Sequence, residues 1–416
     1  MRLLLMSSGQ RKKITILMVN MFIAIASFGI IVPILPAYLV SINQGGTAAG
    51  LMIAIFAGAQ LLFSPLGGKW ADVYGPRKVI ILGLSLLTVS MLMFYATDSI
   101  WLLYASRIVG GIGDAFLVPG IFTYVAGITT SAQRAKATGL VTASMSLGLV
   151  IGPGIGGFLA DFDLKLPFLV SAIVTLTAVL FSLVLLKEIE PAEEISKQAE
   201  EFIKAETMFE QIGRSVKMPY FIPLIITFVM SFGLVAYESV IGLYLTSQFE
   251  STSKDIAMMI TATGLVSVIV QVFVVDRLIR RFGEVAVLIT FLGVATGGFL
   301  LSLMAGSYAA FFGVSLVIFL AMAILRPVLN ILISKMAQGE VGFAMGMNTA
   351  YMSLGNVLGP LSAGLLFDFN INYPFILGLG LLIVTLLIAV AWRSSRAAKT
   401  LALLKANEIA EAESLV

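Results

Sequence analysis

Four ionisable side chains fall inside long apolar runs of the chain: Arg107, Asp114, Glu238 and Arg326. At the middle of a membrane helix such a residue costs at least about 2.5–3.5 kcal/mol, so it is expected to face a protein interior or a water-filled path. These four are therefore the candidates for moving a proton or binding a charged solute. The structural alternative for each is an ion pair that only fastens helices. Asp114 lies seven residues beyond Arg107, on the same side of a helix two turns on. The axial gap is about 10 Å, too long for a direct bond. Glu238 ends the stretch Ser231-Phe232-Gly233-Leu234-Val235-Ala236-Tyr237-Glu238, with no basic residue within a turn. An uncompensated carboxylate is costly in an apolar medium and a proton removes that cost, which suits Glu238 to load and release one. While ionised it would attract a cation. One carboxylate serving both ligands makes binding exclusive, and exclusivity suffices for exchange. Uncharged polar residues in the same runs, Gln60, Tyr124, Gln271, Asn330, Asn348 and Asn356, are further candidate contacts, although hydrogen bonding between helices is their plainer use. Met145 and Met352 offer a soft, adaptable wall.

Other chemistries are excluded by residue type. The chain has no Cys and no His. That removes disulfides, thiolates and the commonest metal ligand, and leaves proton handling to Asp and Glu. There is no nucleophile–base set, phosphate-binding loop or metal cluster, so neither an enzyme nor a metal or organic cofactor is expected. Nucleic acid is not an expected partner either.

The elements that must position these residues follow from composition. Of 416 residues, 59% are hydrophobic and 12% charged, and the mean hydropathy is +1.02. A soluble domain is about a quarter charged, so lipid is the expected solvent for most of this chain. A hydrocarbon layer of about 30 Å needs about 20 apolar residues per helix. Twelve runs qualify: 14–40, 47–66, 78–96, 100–128, 138–160, 166–187, 221–246, 256–275, 284–304, 307–332, 342–366 and 373–392. The first is too long, and lacks a small-residue cleavage site, to be a signal peptide, and reads as a retained helix. One long polar stretch, 188–218, separates the two sets of six. With the N-terminus in the cytoplasm, alternation leaves only Lys165 and Lys254 in outer loops, against Lys and Arg throughout the inner ones, so both termini are expected in the cytoplasm. The expected domains are a six-helix bundle at 1–187, the linker at 188–218, a second bundle at 219–392 and a tail at 393–416.

The halves also repeat. Gly148-x3-Gly152-Pro153-x2-Gly156-Gly157 recurs as Gly355-x3-Gly359-Pro360-x2-Ala363-Gly364, and at the same offset Asp161 matches Asp368 and Pro167-Phe168 matches Pro374-Phe375. Two parallel six-helix repeats place an expected binding site at the midplane. Small residues at this spacing let two helices pack backbone to backbone, and Pro153 kinks the helix. The loop after the second run reads Gly68-Lys69-Trp70-Ala71-Asp72-Val73-Tyr74-Gly75-Pro76-Arg77-Lys78, in which Gly75-Pro76 makes a tight turn and Asp72 can cap a helix end or pair with Arg77. Its second-half copy, Asp276 to Gly283, is degraded and puts Arg280 where the acid should be.

These motifs resemble those of the major facilitator superfamily. The 68–78 loop resembles its G-x-L-A-D-R-x-G-R-K signature, departing at Trp70, Val73 and Pro76. The resemblance gives Gly68, Asp72, Gly75 and Arg77 a gating role. Gly148 to Gly157 matches the antiporter motif associated with exporters, and Gly29-x3-Pro33-x2-Pro36 is similar to a further motif of twelve-helix drug–proton antiporters. From Met18 to about Trp392 the chain resembles Gram-positive multidrug exporters of the norfloxacin and Bacillus type. That resemblance implies an all-α membrane protein of the major facilitator fold, with two pseudo-symmetric six-helix bundles, in a bacterial cytoplasmic membrane. It implies efflux of amphipathic cationic or zwitterionic drugs driven by a proton gradient, by a monomer. It gives Arg107 (in an R-x-x-x-G signature), Glu238 and Arg326 to proton coupling, and Asn348 to the pocket. Relatives carry a second acid three residues before the helix 10 Arg. That position is Ala323 here, and Asp114 is the expected substitute. The alternative is a carrier on the same fold for one physiological solute, such as a sugar, metabolite or lipid.

Overall fold

The computed structural model describes residues 7–129, 131–188, 208–337 and 341–393. Most of the expected linker and all but the first residue of the expected tail lie outside them. The described chain is helical: α1 Ser8–Ser41, α2 Gly46–Tyr74, α3 Pro76–Ala96, α4 Ile100–Ile128, α5 Ser131–Ala160, α6 Leu166–Leu185, α7 Met208–Ser215, α8 Phe221–Phe249, α9 Ser253–Phe273, α10 Val275–Phe282, α11 Glu284–Met304, α12 Tyr308–Met336, α13 Val341–Phe369 and α14 Tyr373–Arg393. Twelve of them, all but α7 and α10, are long and apolar enough to cross a membrane. They fall on the twelve runs expected from sequence. Helix satisfies every backbone N–H and C=O within the segment, which a lipid solvent demands. Prolines inside α1, α2, α4, α5, α12 and α13 are tolerated where neighbouring helices cover the freed carbonyls.

The polarity of the packing is that of a lipid-solvated protein. Apolar side chains point outward: Val184 is 80% and Leu62 76% exposed, whereas Asn20 is 1% and Thr175 0% exposed. The buried polar groups bond across helices. Asn20 donates to Ser182 at 2.8 Å, and Thr88 donates to Thr175 at 3.0 Å.

The contacts divide the chain into two units, Met1–Ala205 with Ser239–Gly264, and Glu206–Glu238 with Leu265–Val416. The division runs through the polar stretch and also through α8 and α9. Its cause lies inside the first unit, where the second half of α8 and the first half of α9 pack on α1 and α5: Gly242 lies against Pro36, Gly157 against Ala257 and Gly264 against Val150. Elsewhere in that unit α1 packs on α5, α2 on α4, and α3 on α4 and α6. In the second unit α11 packs on α12 and α14, and α13 on α12 and α14. There α7 is tied to α13 by Ser215 and Tyr351, whose hydroxyls are 3.0 Å apart.

Both repeats turn on the same backbone device. Gly75 (φ +93°) separates α2 from α3 and Gly283 (φ +82°) separates α10 from α11, conformations that a Cβ disfavours. The second half nevertheless differs. Where α2 runs unbroken to the turn, its counterpart breaks at Val274 into α9 and the short α10.

At the opposite end of the first unit a polar tie joins two loops. Lys165 Nζ stands 2.8 Å from Asp98 Oδ1, and the Tyr38 hydroxyl donates to Thr97 O at 2.7 Å and to Asp98 at 3.2 Å. The hydrogen bond from Lys165 holds the Asp98 carboxyl below its ordinary value of 3.8. A depressed carboxyl stabilises the fold above its ordinary value and loses that contribution as pH falls through the folded one. Lys165→Gln should therefore lower thermal stability at neutral pH by at most about 1 kcal/mol, since the pair is largely exposed. Unfolding scans in detergent should show wild type and variant converging once Asp98 is protonated. A difference that persists at that pH would mean that the tie is not electrostatic.

Candidate functional site

In the first unit the site begins with a close approach of α2 and α4. A Cβ at Gly111 would collide with the Phe56 carbonyl, and one at Gly67 with the Ala115 carbonyl. With both positions bare the helices draw together, and Gln60 Nε2 reaches Asp114 Oδ2 at 2.5 Å. Asp114 is 6% exposed. Two turns along α4, Arg107 is 3% exposed. Its guanidinium lies 4.4 Å from the Phe94 ring centre and 5.9 Å from that of Phe56. Nη2 makes a long bond of 3.4 Å to Ser90, and Nε has no partner among the described residues. A desolvated cation over an aromatic face gains about 2 kcal/mol. The aromatic rings and Ser90 thus hold the charge where no described carboxylate does. Arg107 and Asp114 stay apart, as their spacing requires.

In the second unit Glu238 is half-buried on α8 and Arg326 is exposed on α12. Arg326 is close enough to act electrostatically on Glu238, although no direct ion pair joins them among the described residues. The sequence shows Glu238 without a cation on its own helix, and the fold supplies one from another. Tyr237, next to Glu238, is 2% exposed and shares a 2.8 Å hydrogen bond with Ser315. The rings of Phe299, Phe311, Phe319 and Phe375 surround it at 5.3–6.2 Å. Helical geometry then turns Glu238 about 100° away from that cage. Asn348 is 6% exposed and joins three helices. Its Oδ1 accepts from Thr227 at 2.9 Å and its Nδ2 donates to Asn330 at 2.8 Å.

The remaining candidates fall in different places. Gln271 is exposed, and Asn356, Met145 and Met352 are half-buried. Tyr124 is fully buried near the end of α4 and donates to the Lys187 carbonyl at 2.8 Å. Its hydroxyl thus closes the end of α6, a role set by depth along α4. Arg77 works at the same end: its Nη2 donates to the Leu183 carbonyl at 2.6 Å. The Asp72 side chain lies outside the described residues. Gly75 abuts the Glu188 carboxylate, and Gly68 has only Pro119 near it, at 3.9 Å. The glycines of α5 serve two faces. Cβ atoms at Gly148, Gly152 and Gly156 would meet the backbone of α1 at Phe22, Ala26 and Ile30, while Gly154 and Gly157 face Thr261 and Ala257 of α9. Pro153 lies against Gly29. The repeat carries over, since Gly355 and Gly359 meet the α8 backbone at Phe228 and Phe232.

The family model described as Major Facilitator Superfamily matches residues 17–250 and 223–412. The chain belongs to this superfamily. It is 39% identical to Multidrug resistance protein 2 of Bacillus subtilis (strain 168), over 93% of this chain and 96% of that protein. It is 32% identical to Quinolone resistance protein NorA of Staphylococcus aureus, over 93% of this chain and 98% of that one. Among solved structures, the nucleoside transporter NupG superposes with a TM-score of 0.76 at 14% identity, covering 91% of this chain and 99% of that one. The human organic anion transporter MFSD10 superposes with a TM-score of 0.62 at 20% identity, covering 92% and 100%. Both structural likenesses are of fold. The protein is thus a multi-pass bacterial membrane protein with the major facilitator fold, two pseudo-symmetric six-helix bundles.

Sequence reasoning had no signal for Thr227, Ser90 or Phe94. Each is an ordinary residue whose partner comes from another helix. Two predictions follow from the packing. Asn348→Leu strands Asn330 Oδ1, leaves Thr227 its bond to the Pro223 carbonyl, and should cost about 1–3 kcal/mol. Thr227→Val removes the donor shared by Asn348 and the Pro223 carbonyl, and the double variant should lose less than the sum, read by thermal unfolding in detergent. Gly152→Val puts a branched side chain 2.6 Å from the Ala26 carbonyl and should destabilise by about 1–3 kcal/mol. Equal stability of this variant and wild type would show that α1 and α5 do not need their close approach.

Proposed function

We propose that this protein expels amphipathic cationic or zwitterionic drugs in exchange for protons. The observation that carries the reading is Glu238. It is a half-buried carboxyl in the middle of a span, with no ion pair to Arg326 among the described residues. A carboxylate in that setting can hold a proton or a cation but not both, which is the requirement for exchange. Asp114, held by Gln60, is the second acid and takes the place of the one absent at Ala323. Arg107 completes the proton-coupling set. Asn348 fixes the helices that carry Glu238 and Arg326, with Asn330 presented beside it. The names of the relatives, multidrug and quinolone resistance proteins, agree with this substrate class.

The carrier works as a monomer in the bacterial cytoplasmic membrane with both termini in the cytoplasm. The proton gradient is its energy source and it needs no cofactor. The segments 1–187 and 219–392 alternate access, joined by the linker 188–218. Gly68, Asp72, Gly75 and Arg77 form the gating loop, and the α5 glycines set the packing of α1.

Everted membrane vesicles with an imposed proton gradient test the reading. Wild type should accumulate ethidium, and Glu238→Gln should fall to the level of vesicles without the protein. Ethidium affinity of purified wild type should weaken as pH falls, because protonation removes the charge that attracts the cation, and Glu238→Gln should be insensitive to pH. Asp114→Asn should retain binding and lose gradient coupling. No gradient-driven uptake of ethidium or of a panel of other cations by wild type would overturn the drug reading in favour of a single-solute carrier.

A further inference from the structure

The short helix α10, Val-Asp-Arg-Leu-Ile-Arg-Arg-Phe at 275–282, is the degraded copy of the first-half loop, and its function is unexplained by that copy's role. The two glycine turns match in backbone, yet three residues before the turn Asp72 is replaced by Arg280. The segment holds three arginines against one aspartate, Asp276, whose side chain lies outside the described residues. Val275 and Ile279 are buried, while Arg277, Arg280, Arg281 and Phe282 are exposed, Phe282 by 58%.

We propose that Arg280, Arg281 and Phe282 form a docking surface for the headgroups of anionic phospholipids. The spans α9 and α11 flank α10, so it lies at the bilayer surface, where phosphates are the most abundant anions. A helix with a buried apolar side, exposed cations and an exposed ring has the features of an interfacial segment. Glu284, the next acid in the chain, is otherwise engaged and binds Lys335 at 2.9 Å. Arg277 is occupied too, since its Nη1 donates to the Phe273 carbonyl at 2.6 Å and closes the end of α9. Arg281 has its guanidinium carbon 5.4 Å from the centre of the Phe282 ring. Contact through the guanidinium face leaves its N–H edge for a phosphate, which arginine binds through two parallel hydrogen bonds. Phe273, 59% exposed at the end of α9, adds a second ring at the same level.

The test uses the full-length protein reconstituted in phosphatidylcholine vesicles containing phosphatidylglycerol. It is then extracted, washed and analysed by mass spectrometry for the lipids it retains. Wild type should retain phosphatidylglycerol in preference to phosphatidylcholine. R280Q/R281Q should lose up to about thirtyfold of that preference at low salt, while R280K/R281K should keep only the part that charge alone supplies. A Gln pair that retains the wild-type preference overturns the proposal, as does a wild type with none. Free glycerol phosphate displacing the lipid as well as phosphatidylglycerol vesicles do would make this a site for soluble anions and also overturn it. Should the Gln pair fail to fold, wild type still decides, because a preference that does not fall with rising salt is not electrostatic. None of these readouts depends on drug transport.

Discussion

Lipid offers no hydrogen bonds, so every polar group at membrane depth must find its partner inside the protein. That constraint shapes each feature of the site. Twelve spans are helical because helix satisfies its own backbone. Asn20, Thr88 and Asn348 bond across helices because their side chains have nowhere else to go. Arg107, with no described carboxylate in contact, is held by the faces of Phe94 and Phe56. Glu238 and Arg326 lie in the second unit with no ion pair between them among the described residues. An acid at that depth is costly to keep ionised.

Glycine is the means by which the helices come close enough to satisfy that demand. Gly67 and Gly111 bring α2 onto α4, and the Gln60–Asp114 bond follows. Gly148, Gly152 and Gly156 bring α5 onto α1, while Gly154 and Gly157 leave the other side of α5 open to α9. The same spacing in α13 brings Gly355 and Gly359 onto α8. At all of these positions but Gly154, a methyl group would meet backbone, which cannot move aside as a flexible side chain can. The motif resembling that of antiporters is therefore first a packing device: three of its four glycines face α1, and Gly157, with Gly154 beside it, faces α9.

The two halves share a design and differ where charge is concerned. Both turn at a left-handed glycine before the third span of the repeat. In the first half Arg77 and Tyr124 bond to carbonyls at the end of α6. In the second half a lysine–glutamate pair, Lys335 with Glu284, joins α12 to α11, and the loop copy has turned cationic. A duplicated fold has kept its backbone and changed its electrostatics, so the ends of the two halves are fastened by different forces.

Sequence alone determined the twelve spans, the repeat, the ionisable quartet and the family resemblance. These are properties of composition and local spacing, and a lipid solvent makes them unusually legible. It also separated Arg107 from Asp114, because distance along one helix is fixed by its rise. It could not assign partners. That Gln60 binds Asp114, that Asn348 binds Thr227 and Asn330, and that Tyr124 reaches the Lys187 carbonyl were decided by the tertiary structure. In each case the partner lies on another helix or beyond it, brought near by packing whose register leaves no local mark on the chain. The break at Val274 that frees α10 was equally invisible, since an apolar run reads the same whether its helix continues or stops.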